Sequence, residues 1–308
     1  MVAEKGEARD GAFRRFAWAG FSFPVPAGWE LAEYFFGRDV SSVQLEDAVG
    51  LRLEFEWCRP GREVDVAKAE RRYLAGADRV KEVAEQAVAA EGLPEGWSGF
   101  GYAMPERRVL ATAYWVAPDR RFAGYLRLHL ADAGVRKALR ILRRTAGGFA
   151  LHGGPAIPWE FYDVSLTLSR DFRLASTNLQ AGRKLMVFEW RLRRCFVWQH
   201  SFADMILKKQ DAATWGAEFL NQARNLHGPV FQAVRGERIR AARSRRYPLG
   251  HYDEIGRMSF RYRAACVHWR ERNALLLACY HYRSPGDLEK LRSLSAPAGL
   301  ADALLRGG

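Results

Sequence analysis

The chain has 308 residues, 48% of them hydrophobic and 13% aromatic, with a formal net charge of +13. That composition reads as globular, with length enough for two domains that each bury a core. No run approaches the ~18–20 apolar residues of a membrane span, and the first ten residues are too charged for a signal peptide, so a cytoplasmic protein with no membrane partner is expected.

Cys58, Cys195, Cys266 and Cys279 are too few and too scattered for a disulfide framework, which fits a reducing compartment. The charge is unevenly spread: residues 1–150 hold 23 Lys and Arg against 21 Asp and Glu, whereas 151–308 hold 25 against 14. Forty of the 48 basic residues are Arg, the side chain suited to bidentate phosphate contacts and to stacking on bases. A GC-rich genome accounts for that ratio equally well, but not for the asymmetry between halves. The four Asn and seven Gln are the scarcity expected of a thermophilic source, because these amides are thermolabile.

In chain order, residues 1–11 read as a disordered leader. Residues 16–31 set a strand with Phe21 and Phe23 on one face, stopped by Pro24, Pro26 and an Ala27–Gly28 turn. Alternation is cleanest at 51–57, with Leu51, Leu53, Phe55 and Trp57 inward and Arg52, Glu54 and Glu56 on a wet face. From 65 to 90 the spacing of Ala69, Tyr73, Ala77, Val80 and Val83 predicts a helix, closed by Gly92, Pro94 and Gly96. Strands follow at 108–116 and 122–130, then a helix over 135–145 with Asp132 as its N-cap and Arg136, Lys137, Arg140, Arg143 and Arg144 outward. Residues 147–155 form a linker.

Beyond the linker the order of elements repeats. A shift of 143 lays Phe196 and Trp198 on Leu53 and Phe55, and a shift of 152 lays His281 on His129 and Leu291 on Leu139. The chain therefore reads as an α+β tandem duplication of an antiparallel-sheet-plus-helices unit: a near-neutral first repeat at 12–150 and a basic second repeat at 157–296. The second copy has a helix over 211–226 and an Arg-rich insertion at 228–255. Its densest stretch, 256–283, reads as two long strands joined at 270–273, with Met258, Phe260, Tyr262 and Ala264 on one face and Arg257, Ser259, Arg261 and Arg263 on the other.

The stretch 21–31, with its Pro26-Ala27-Gly28-Trp29 signature, followed by strands, a helix, more antiparallel strands and a final helix, resembles the PsbP-like α+β fold. The second copy has 169–172, Ser-Arg-Asp-Phe, in place of that signature. The resemblance implies an antiparallel sheet packed between helices and a binding, assembly or adaptor role rather than catalysis.

The candidate site is basic. Arg235, Arg238, Arg240, Arg243, Arg245 and Arg246 crowd one segment; Arg257, Arg261 and Arg263 project from the strand that follows; Tyr247, Tyr252 and Trp269 interleave aromatic faces on which bases stack. The same arginines would also serve as a solvated surface whose stems cover apolar area. Trp159, Trp190 and Trp198, close to Arg191, Arg193 and Arg194, are further aromatics whose exposure bears on this reading. No metal or other cofactor is expected. A symmetric turn about Glu271 and Arg272 opposes Cys266 to Leu277 and His268 to Leu275, which leaves His268 and His281 on the order of 20 Å apart at ~3.4 Å per residue, too far for one zinc shell. There is no P-loop, dinucleotide fingerprint, His-Glu-x-x-His pair or nucleophile elbow. Glu46, Asp47, Glu54 and Glu56 are the acidic set a metal-dependent nuclease would need, but alternation assigns Glu54 and Glu56 to a wet face, and His129 and His281 read as structural. The expectation is a non-catalytic binder of RNA or a ribonucleoprotein surface, with a protein–protein adaptor or chaperone that meets an acidic protein partner as the alternative.

Overall fold

Phe13–Trp18 (β1) and Phe21–Pro26 (β2) are joined through Ala19 and Gly20, both at positive φ (46° and 87°), the backbone that a two-residue hairpin turn requires. The computed structural model describes residues 12–58, 65–131, 133–223, 230–234, 237–241 and 261–305. The chain divides into two units, one of Met1–Ala17 with Phe21–Leu151 and one of Trp18–Gly20 with His152–Gly308. Among the described residues no helix is long and apolar enough to cross a membrane.

The first unit continues with Glu30–Phe36 (β3), Ser41–Glu46 (β4), Leu51–Cys58 (β5), Val66–Val83 (α1), Gln86–Ala89 (β6), Trp97–Met104 (β7), Arg108–Val116 (β8), Ala123–Ala131 (β9), Val135–Gly147 (α2) and Ala150–Leu151 (β10). Seven strands form an antiparallel sheet in the order β3-β4-β5-β9-β8-β7-β6. One face, with Leu53, Phe55, Trp57, Leu126 and Leu128 buried, packs against β2 and α2. Phe21 and Phe23 meet Phe55 edge-on at 4.8 and 5.4 Å between ring centroids, and α2 contributes Ala138, Leu139 and Leu142. Gly101 lets α2 lie close on β7, since a Cβ there would stand 2.7 Å from Val135 and 3.0 Å from Leu139. Short β10 pairs with β2 through Ala150–Ser22 and Leu151–Phe21 only.

The second unit contains Ala156–Phe161 (β11), Val164–Ser169 (β12), Arg173–Gln180 (β13), Arg183–Trp190 (β14), Arg193–Ser201 (β15), Ala203–Leu207 (α3), Ala212–Gln222 (α4), Phe231–Ala233 (β16), Arg238–Ala241 (β17), Arg261–Trp269 (β18), Ala274–Tyr282 (β19), a 3-10 helix Pro285–Leu291 and Leu300–Leu305 (α5). Its sheet runs β13-β14-β15-β19-β18-β17-β16, strand for strand the order of the first, which suggests a duplicated unit. Asp211 starts α4 by accepting from the Thr214 amide and hydroxyl at 2.9 Å each. Ala213, Ala217 and Leu220 of α4 then close onto Phe196, Trp198, Cys266, Leu277 and Cys279. The central strand β19 is buried along its whole length.

Several expectations change. The strand expected at 16–31 is the end of β1, all of β2 and the start of β3, and β2 runs through Pro24 and Pro26: β10 reaches no further than Ser22, so Pro24 sits beyond the stretch paired with β10. The predicted helix to residue 90 ends at Val83, because Gln86–Ala89 pairs with β7 as an edge strand. Helix α2 is capped by Gly134 without a side-chain bond; Asp132 lies outside the described residues. The segment taken as an insertion is partly the edge of the sheet itself, since β16 and β17 stand where β6 and β7 stand in the first unit. The pairing also moves the predicted alignment by one. Phe196 opposes Cys279 as Glu54 opposes Arg127, while His281 opposes Tyr262 as His129 opposes Leu110. Phe196 and Trp198 therefore take the places of Glu54 and Glu56, not of Leu53 and Phe55, and one residue of slip exchanges the faces.

Candidate functional site

In β17 and β18 the alternation of side chains sorts the arginines. Ile239 opposes Ala264 and Arg238 opposes Ala265. Ile239 and Ala264 belong to the core under α4, so Arg238, Arg240, Arg261 and Arg263 share the opposite face of the sheet. Arg238, Arg240 and Arg261 are exposed, and their side chains make no hydrogen bond or ion pair among the described residues. Arg263 is half-buried, and its Nη1 donates to the Leu305 carbonyl of α5 at 2.5 Å. Between these strands and α5 lies a recess of about 460 Å³ lined by Arg238, Arg240, Arg263, Ala303 and Leu304. Arg235, Arg243, Arg245, Arg246, Tyr247 and Arg257 lie outside the described residues, as do Met258, Ser259 and Phe260.

Of the expected row of guanidinium groups, the described residues include Arg261 and Arg263. Past Arg263 the same face carries Ala265 and Val267, both fully buried, so the arginines occupy one end of it. The hairpin register matches the symmetric turn: Cys266 opposes Leu277 and His268 opposes Leu275, and Asn273 takes the left-handed conformation at the end of the connection. His281, 1% exposed, stacks on Tyr262 at 5.3 Å; burial, with Arg194 and Arg193 nearby, pushes it down to about 3. His200 is likewise lowered to about 4 by burial and Arg183. Both are neutral at pH 7.

Trp159 and Trp198 are buried and play no surface part. Trp190 is half-buried, with the Arg191, Arg193 and Lys290 cations 5.3, 5.1 and 5.2 Å from its ring centroid.

In the first unit the carboxylates expected on a wet face form an ion-pair cluster. Arg127 reaches both Glu54, at 3.2 Å, and Glu56. His129 Nε2 lies 2.8 Å from the second oxygen of Glu54, and Gln44 donates to the first at 3.3 Å. Hydrogen bonding to His129 holds the Glu54 carboxyl below its ordinary range, against burial and with help from the Arg127 charge. Position by position the second unit replaces this cluster with Phe196, Trp198 and Cys279, all buried. Alternation showed which side Glu54 and Glu56 face; it could not show that α1 lies over that side.

No known protein family matches the chain, and no curated protein does. Among solved structures it is similar to the Ran-binding protein Mog1p of Saccharomyces cerevisiae, at 9% identity over 46% of this chain and 95% of that one, with a TM-score of 0.30. It is also similar to the immunity protein TplEi of T6SS from Pseudomonas aeruginosa, at 10% identity over 94% of this chain and 99% of that one, with TM-scores of 0.32 for the apo structure and 0.33 for a peptide complex. At these identities and scores the likenesses carry no functional argument.

Proposed function

We propose that the chain is a non-catalytic binding protein that engages RNA, or a ribonucleoprotein surface, through the arginine face of its second unit. The observation that carries this reading is that Arg238, Arg240, Arg261 and Arg263 come from two strands onto one side of one sheet, three of them exposed and unengaged by any acid among the described residues. Guanidinium forks held at strand spacing suit successive phosphates of a strand, and the recess beside them is large enough for a nucleotide. The charge excess of residues 151–308 points the same way.

The units are read as copies of one α+β unit, spanning 12–150 and 157–296. The shared strand order supports this, and an antiparallel sheet with helices against it supports the PsbP-like description of each.

The ultraviolet absorbance of the purified protein, read before and after a high-salt wash, tests the reading. Co-purifying nucleic acid that salt removes is the expected result. An acidic protein released in its place would transfer the surface to a protein partner.

A further inference from the structure

In the first unit, α1 stands off the sheet and leaves a cavity of about 920 Å³ over β5, β8 and β9, within the range of about 300–1,000 Å³ typical of small-molecule sites. The second unit shows what a closed version looks like. There Gly216 of α4 is so close to the sheet that an added Cβ would stand 2.7 Å from the Cys266 side chain and 2.8 Å from Ile239. Gly76 of α1 lines the first unit's cavity, and a Cβ there would meet nothing within 4 Å. Helix α1 is held instead by Tyr73, whose ring stacks on Tyr114 at 5.2 Å and meets Tyr125 edge-on at 5.3 Å, a spacer where α4 has small residues.

The lining is amphipathic in an ordered way. At 100° per residue, Ala69, Tyr73, Gly76 and Val80 form one flank of α1, and Lys68, Arg72 and Arg79 form the flank beside it within about 40° of one another. All three cations are exposed and make no side-chain hydrogen bond or ion pair among the described residues. Of the acids on the wall, Glu56 is paired to Arg127 and Asp65 accepts from the Lys68 amide at 2.9 Å, which leaves Asp39. The sheet side supplies Tyr114, Tyr125 and the backbone of Gly124.

We infer that this cavity is a binding site for an amphipathic organic anion, with its apolar or aromatic body against the tyrosines and Gly76 and its carboxylate, sulfonate or phosphate at the Lys68–Arg72–Arg79 flank. The site is in a different unit from the arginine face and does not depend on nucleic-acid binding.

Fluorescence titration with 1-anilinonaphthalene-8-sulfonate and with N-phenyl-1-naphthylamine, the same rings without the sulfonate, separates the two halves of the inference. The full chain should bind the sulfonate at least tenfold more tightly than the amine. Arg72→Ala with Arg79→Ala should remove most of that preference and leave amine binding within about twofold. Gly76→Leu fills the open space and replaces a helix-interior glycine, so it should weaken both probes at least tenfold with no fall in Tm. Absence of binding by the wild-type chain, full binding by Gly76→Leu, or equal affinity for the two probes would each overturn the site.

Discussion

The Arg193 guanidinium clasps the Asp287 carboxylate through two hydrogen bonds, Nε to Oδ2 at 2.9 Å and Nη2 to Oδ1 at 3.1 Å. Asp287 also accepts from the Arg283 and Ser284 amides and so caps the 3-10 helix Pro285–Leu291. Burial alone would raise its carboxyl, but the Arg193 bonds, the two amides and the Arg193 charge outweigh it and bring the group down to about 2.

A carboxyl depressed by folding stabilises the fold above its unfolded value, near 4, and loses that contribution as pH falls through about 2. Asp287→Ala leaves a nearly buried guanidinium without its partner and removes the cap, which should cost about 3 kcal/mol or more. Denaturant unfolding of the wild type and the variant between pH 2 and pH 7 checks this. The gap should narrow toward the acid end, and a constant gap would deny the ion pair its role.

Two glycines on equivalent helices should respond with opposite signs. Gly76→Ala places a methyl in open space and removes a helix-interior glycine, a gain of about 0.5–1 kcal/mol. Gly216→Ala drives its methyl into Cys266 and Ile239, and overpacking of about 1–3 kcal/mol exceeds the helix gain. Thermal unfolding of the two variants checks the pair; shifts of the same sign would mean that α1 is packed like α4.

The four thiols should divide by burial. Cys195, Cys266 and Cys279 are buried, with the first thiol pushed up to about 12 by burial. Cys58 is half-buried on the wall of the first unit's cavity. Mass spectrometry after brief treatment of the native chain with N-ethylmaleimide should find Cys58 labelled first and the other three only after unfolding.

Where two strands meet across a short connection, the sequence is a good guide. The turn centred on Glu271 and Arg272 implies that Cys266 opposes Leu277, and it does. Legibility fails where the deciding partner is remote. Val88 carries helix-compatible neighbours, yet pairing with Gly101 makes it a strand. Matching apolar to apolar lays Phe196 on Leu53, one residue away from the register that the ladder sets, because the first unit carries Glu54 where the second has a core aromatic. The site is legible to the same extent. Alternation puts Arg261 and Arg263 on one side, but only the pairing of Ile239 with Ala264 adds Arg238 and Arg240 to it, and only the fold shows α5 taking up Arg263.

Filter binding to mixed-sequence single-stranded RNA over a salt series tests the arginine face most directly. Each phosphate neutralised contributes about −0.7 to the slope of log affinity against log salt, so Arg238→Ala, Arg240→Ala and Arg261→Ala together should flatten the slope by roughly two. Exposed strand arginines contribute little to folding, so Tm should hardly move. Arg136→Ala, Arg140→Ala and Arg143→Ala on α2 of the first unit remove the same charge and should leave the slope nearly unchanged. Equal flattening in the two triple variants, or RNA binding that does not respond to salt, would contradict a binding face on the second unit.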